Sequence, residues 1–133
     1  MSSKCHKGSW IGVDLDGTLV EYHGWVDSGH LGAPITPMVE RIREWLAEGV
    51  DVRIFTARVG PNQYPDCEGC IRKSTEAINA FCLEAFGRTL PLTATKDRFM
   101  FELWDDRCVC VGRNRGDIVG RNPEPDQTQD SIK

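Results

Sequence analysis

Two hydrophobic periods alternate along this chain, and the switches between them mark its elements. Trp10-Ile-Gly-Val-Asp14 is a short apolar run that stops at acidic and glycine residues, which predicts a buried strand leading into a loop at Asp14-Leu-Asp-Gly-Thr18. Residues 19–36 carry Gly24, Gly29, Gly32 and Pro34 with little periodicity and read as a loop or small hairpin. Met38, Val39, Ile42, Trp45 and Leu46 then fall on one face at helical spacing before Gly49, with Thr36 as the expected cap and Pro37 opening the first turn. Val50-Asp-Val-Arg-Ile-Phe55 alternates with period two and predicts a second strand running into Thr56-Ala-Arg58.

After an irregular stretch with Gly60, Pro61, Pro65 and Gly69, residues 71, 78, 81, 82, 85 and 86 mark a second amphipathic helix that ends at Gly87. Leu90–Ala94, Phe99–Trp104 and Cys108–Val111 are three further strand candidates. From Arg121 the chain is rich in Pro, Gln, Asp and Ser, and 121–133 reads as a disordered tail behind a single domain over 1–120. Strands alternating with helices imply parallel pairing through right-handed crossovers, hence a three-layer, doubly wound, Rossmann-like α/β fold.

Composition narrows the setting. An apolar share of 40% and a charged share of 27% are those of an ordinary globular protein. No apolar run approaches the roughly 20 residues that span a bilayer, so no membrane partner is expected. The first residues lack the apolar stretch of a secretory signal, and a cytoplasmic setting is the expectation. A net charge of -4 gives no global electrostatic case for nucleic acid. In a reducing compartment the six cysteines read as thiols. Cys67-x-x-Cys70 has the spacing of half a zinc knuckle, and structural Zn²⁺ there, completed by Cys5-His6, is the less favoured alternative. Cys108-x-Cys110 would share one face of a strand, directed into the core.

The candidate chemistry lies where the strands end. In open parallel sheets ligands bind beyond the carboxyl ends of the strands, and Asp14, Thr56, Thr95-Lys96 and Asp105-Asp106 all fall at predicted strand ends. Four carboxylates from Asp14, Asp16, Asp105 and Asp106 on one rim would repel strongly and call for a cation. An oxygen donor set without imidazole or thiolate favours Mg²⁺. Thr56 and Lys96 suit the oxygens of a phosphoryl group, with Arg58 as a further candidate, and Gly17 allows close backbone approach. His23, His30 and Trp25 lie in the loop beside this rim, and Arg107 follows the acid pair.

Asp14-Leu-Asp-Gly-Thr-Leu-Val20, Thr56, Lys96-Asp97 and Asp105-Asp106 resemble, in order, the four motifs of the haloacid dehalogenase (HAD) superfamily. The resemblance implies a nucleophile at Asp14 and a general acid/base at Asp16, with Thr56 and Lys96 on the phosphoryl group. It also implies Mg²⁺ held by Asp14, the backbone carbonyl of Asp16, Asp105 and Asp106. The superfamily's dehalogenases lack the equivalent of Asp16, so the resemblance favours a phosphatase working through an aspartyl-phosphate. The insertions are too short for a cap domain, which resembles the capless branch, whose open sites take bulky esters or are covered by a partner subunit in a homo-oligomer. Between Lys96 and Asp105 only about one helical turn fits. Phe55-Thr-Ala-Arg58 and Asp105-Asp-Arg107 are similar to the 3′-phosphatase domain of polynucleotide kinase/phosphatases. The expected substrate is therefore a phosphorylated small molecule or nucleotide, with a nucleic acid 3′ end as the alternative. A non-catalytic phosphate- or metal-binding module is the rival from another class.

Overall fold

A computed structural model of the chain describes residues 8–61, 63 and 69–123. The element order is β1 (Trp10–Asp14), α1 (Thr36–Ala47), β2 (Val52–Phe55), a 3₁₀ turn (Ala57–Val59), α2 (Cys70–Phe86), β3 (Leu92–Thr93), β4 (Met100–Trp104), β5 (Val109–Val111) and β6 (Ile118–Arg121). The first four strands form one parallel sheet in the order β3-β2-β1-β4. The expected α/β class holds at this level: a four-stranded parallel sheet with two helices.

Strand alternation decides what each face carries. Ile11 and Val13 of β1 and Val52 and Ile54 of β2 point to one side and join Met38, Val39, Ile42 and Trp45 of α1 and Ile78 and Cys82 of α2 in a single buried cluster. Each fully buried aliphatic side chain there contributes about 1.5–3 kcal/mol from leaving water. Trp104 of β4 closes the cluster's edge against Trp45, ring centroids 5.1 Å apart and nearly perpendicular. The Arg43 guanidinium donates to the carbonyl of Ala85, tying α1 to α2.

Trp10 and Gly12 face the opposite side. A side chain at Gly12 would crowd the Trp10 ring, Met100 and Leu103. Among the described residues no helix lies on this face. The connection from β3 to β4 passes there instead, and Asp97 accepts from Trp10 Nε1 at 2.9 Å and from the Phe99 amide at 2.8 Å. These bonds hold the Asp97 carboxyl below its usual range. The one helical turn expected between Lys96 and Asp105 is a tight turn, closed by Met100 N–H to Asp97 C=O.

Other expectations need correcting. Thr36 is the first helical residue and not the cap. Ile35 takes that place without a side-chain bond, and Pro37 sits in the first turn, where its missing N–H costs nothing. β6 was not expected, and it pairs antiparallel with β5 as a separate two-stranded ribbon. Cys108 and Cys110 are exposed on that ribbon, because β5 never enters the main sheet. Cys70 is disulfide-bonded, against its reading as a thiol or zinc ligand. Cys5, His6 and Cys67 lie outside the described residues. The α2 terminus is as expected: Gly87 adopts φ +73° and donates to Leu83 C=O.

Candidate functional site

Register brings the strand ends to one rim. Asp14 pairs with Phe55 and Phe55 with Thr93, while Val13 pairs with Trp104. The residues that follow, Thr56, Ala94–Lys96 and Asp105-Asp106, therefore leave the sheet along the same edge as Asp14. The chain fills the sheet from β1 outward to β3 and then returns to place β4 on the other flank of β1. That reversal makes the gap between β1 and β4 a topological switch point, the place where open α/β sheets form crevices.

Asp14, Asp105 and Asp106 meet at this gap, with one carboxylate oxygen of each lying within 4.8 Å of the others. Asp14 is buried and the other two are half-buried. Thr18 bridges the group. Its hydroxyl lies 3.2 Å from Asp14 Oδ2 and 3.1 Å from Asp106 Oδ1, and it accepts from the Asp106 amide at 3.1 Å. One hydroxyl hydrogen serves only one carboxylate at a time, and carboxylates at this spacing repel one another. Three hard oxygen donors, without nitrogen or sulfur, fit a Mg²⁺ ion that retains part of its water shell.

Gly17 makes the approach possible. It has φ +90°, and a Cβ there would lie 2.7 Å from Asp106 Oδ2. The loop after β1 is closed by Gly17 N–H to Val20 C=O and by the Leu19 and Val20 amides to Leu15 C=O. The segment between is pinned at its base, where Glu21 N–H donates to Ala33 C=O and Ile35 N–H to Leu19 C=O. Gly32 sits there because a Cβ would collide with the Glu21 carbonyl.

Asp16 does not join the acid cluster. It is 1% exposed, and both its oxygens accept from Arg58, Oδ2 from Nε at 2.8 Å and Oδ1 from Nη2 at 2.9 Å. The guanidinium of Arg58, a candidate for binding phosphate, is engaged in this buried bidentate pair. Its Nη1 donates to Ser28 C=O at 3.2 Å, and the Trp25 ring lies over it with the centroid 4.9 Å away. Trp25 thus covers the guanidinium.

Thr56 is buried, and its hydroxyl oxygen caps the 3₁₀ turn by accepting from Arg58 N–H. The hydroxyl hydrogen finds no acceptor among the described residues and remains to be donated. Lys96 lies exposed in the connection after β3, without a hydrogen bond or ion pair to the described residues. His23 is exposed and pairs with Glu21, His30 is exposed, and Arg107 is exposed with its amide donating to Asp105 Oδ1. Sequence reasoning missed Thr18 as the bridge and Arg58 as the partner of Asp16. The Thr18 signal was its place four residues after Asp14 in the same loop, whereas the Arg58 pairing spans 42 positions and had none.

Comparison of the chain with models of known protein families, with curated proteins and with solved structures found no match. No helix among the described residues is long and apolar enough to cross a membrane.

Proposed function

We propose that the chain is a magnesium-dependent phosphomonoester hydrolase of the HAD type, with Asp14 as nucleophile and Asp16 as general acid/base. The observation that carries the reading is the meeting of Asp14, Asp105 and Asp106 at the switch point of a parallel sheet. The sequence order of these strand-end residues matches the four motifs that the chain resembles. Within this reading the fold is the Rossmann-like, capless HAD arrangement, and the short 94–99 connection replaces the crossover helix of a full third layer.

In the first step an Asp14 oxygen attacks phosphorus, the bond from phosphorus to the leaving oxygen breaks, and that oxygen takes the proton of Asp16, which must enter this step as the neutral acid. Water then attacks phosphorus and gives its proton to Asp16, and the bond from phosphorus to Asp14 breaks to release inorganic phosphate. Asp14, Asp105 and Asp106, with the Asp16 backbone carbonyl, would hold Mg²⁺. When bound, the ion offsets negative charge on the phosphoryl oxygens. The unspent Thr56 hydroxyl hydrogen and the Lys96 ammonium suit the same oxygens.

The acidic chain favours a small phosphorylated metabolite or nucleotide as substrate. A panel of nucleotides, sugar phosphates and 3′-phosphorylated oligonucleotides, assayed for phosphate release with Mg²⁺, tests the reaction and its substrate class together. Release from at least one member by the wild type, and none by Asp14→Asn, is expected. Equal release by the variant contradicts the reading, and selective release from oligonucleotides transfers it to nucleic acid ends.

A further inference from the structure

We infer that the β5/β6 ribbon is a docking surface for double-stranded DNA. The ribbon lies outside the acid cluster, so its role stands or falls apart from the hydrolase reading.

Charge is divided unevenly along this chain. Between 107 and 121 stand Arg107, Arg113, Arg115 and Arg121 against one acid, Asp117, so the segment carries +3 in a chain of net charge -4. The remainder carries -7 and repels a polyanion, which leaves the ribbon as the side that attracts one. All four cations are arginines, whose planar fork meets a phosphate with two bonds where a lysine offers a point charge. Arg115 is paired with Asp117 at 3.1 Å, whereas the exposed Arg113 and Arg121 side chains have no ion pair among the described residues.

The ribbon is also well formed at tip and base. Gly112 N–H donates to Asp117 C=O at 2.9 Å, and the Arg115 and Gly116 amides donate to Gly112 C=O, which sets Arg113 and Arg115 at the tip. Asn114 supplies a left-handed residue of that turn, with φ +62°. Asn122 Nδ2 donates to Asp106 C=O at 3.2 Å and ties the base to the rim. Register sets Val109 opposite Arg121 and Val111 opposite Ile118, so one face carries three aliphatic side chains and an arginine. Those three are 42%, 57% and 67% exposed. A two-stranded hairpin wet on both faces is marginal alone, and arginines set among exposed aliphatics fit a partner that is both anionic and apolar.

Duplex DNA is such a partner. Its phosphates flank a major groove about 12 Å wide, which admits a two-stranded ribbon and presents thymine methyl groups to it. Single strands are held by stacking bases on aromatic rings, and residues 107–121 contain no Phe, Tyr or Trp. An RNA duplex has a major groove too narrow for side chains to read.

The test uses the full chain without Mg²⁺ and a fluorescent duplex DNA with hydroxyl ends, read by anisotropy over a salt series. Wild-type binding should weaken steeply with salt. Arg113→Gln combined with Arg121→Gln should lower affinity at least about tenfold in dilute salt and shrink the log–log salt slope by about 2, close to one per lost phosphate contact. Arg72→Gln combined with Arg88→Gln removes the same charge from exposed positions elsewhere and should leave the slope unchanged. Arg113→Lys combined with Arg121→Lys should keep most of the slope, which separates lost charge from a ribbon that fails to form. The docking surface is overturned by a wild type that does not bind the duplex, by equal losses in the Arg72/Arg88 pair, or by a lysine pair whose slope falls as far as the glutamine pair's. Equal affinity for a single strand of the same sequence, or tighter association with phosphatidylserine vesicles, overturns it as well. A chain that binds the duplex but hydrolyses no phosphate ester fails the hydrolase reading alone.

Discussion

At the scale of single residues, Gly17 is the position where backbone conformation and the acid cluster depend on one another. Its positive φ and the 2.7 Å approach to Asp106 leave no room for a Cβ. Gly17→Ala should lower stability by about 1–3 kcal/mol in a denaturant titration. It should also weaken Mg²⁺ binding, read by isothermal calorimetry, because Asp106 must move away. The acid cluster makes a second prediction. Without metal, Asp14→Asn removes one of three mutually repelling carboxylates and should raise the thermal midpoint. Saturating Mg²⁺ should raise the wild-type midpoint more than the variant's, since a ligand stabilises only the state that binds it. The residue identities at this rim were legible in the sequence because strand ends, Asp-x-Asp-Gly and the acid pair are local patterns. Arg58 carried no such signal: its partner lies 42 positions away, and only the closed fold turns an exposed-looking arginine into a buried one.

At the scale of elements, the helices and β2 were readable because each presents a clear period against one core, while β1, β3 and β4 showed only as short apolar runs. Ile42 and Ile78 are completely buried between the two helices and the sheet. Ile42→Ala should cost about 2–5 kcal/mol of unfolding free energy, depending on how far the cavity collapses. The β5/β6 ribbon was not readable in full, because Ile118-Val-Gly-Arg121 is short and follows a turn with few apolar residues. Its isolation sets the behaviour of the thiols. Cys108 and Cys110 are exposed and should react with a disulfide reagent at once at pH 8. Burial pushes the Cys82 thiol up to about 11, against a smaller opposing contribution from its backbone bond with Leu90. Cys82 should react only on unfolding. The sign for stability follows: the native state holds this proton at pH values where the unfolded chain has released it. The Cys82 contribution is therefore intact below about pH 9 and falls as pH rises toward 11. Thermal midpoints measured across that range, with Cys82→Ala losing part of the decline, check it.

At the scale of the whole molecule, the chain order of the sheet converts separate motifs into a site. Filling the sheet from β1 to β3 and then crossing to β4 sets Asp14 beside Asp105 and Asp106, although about 90 positions separate them. Parallel pairing was foreseeable from alternating strands and helices. The thin second face was foreseeable in part, since only about one helical turn fits between Lys96 and Asp105, but that this turn is tight shows only when Asp97 is seen holding Trp10. The central claim is that Asp14 is a nucleophile working beside a bound Mg²⁺, and fluorine NMR of the beryllofluoride adduct tests it most directly. A bound resonance is predicted for the wild type with Mg²⁺ and beryllium fluoride, lost on chelation and absent in Asp14→Asn. A wild type without that resonance, or one that persists in Asp14→Asn, would contradict the account.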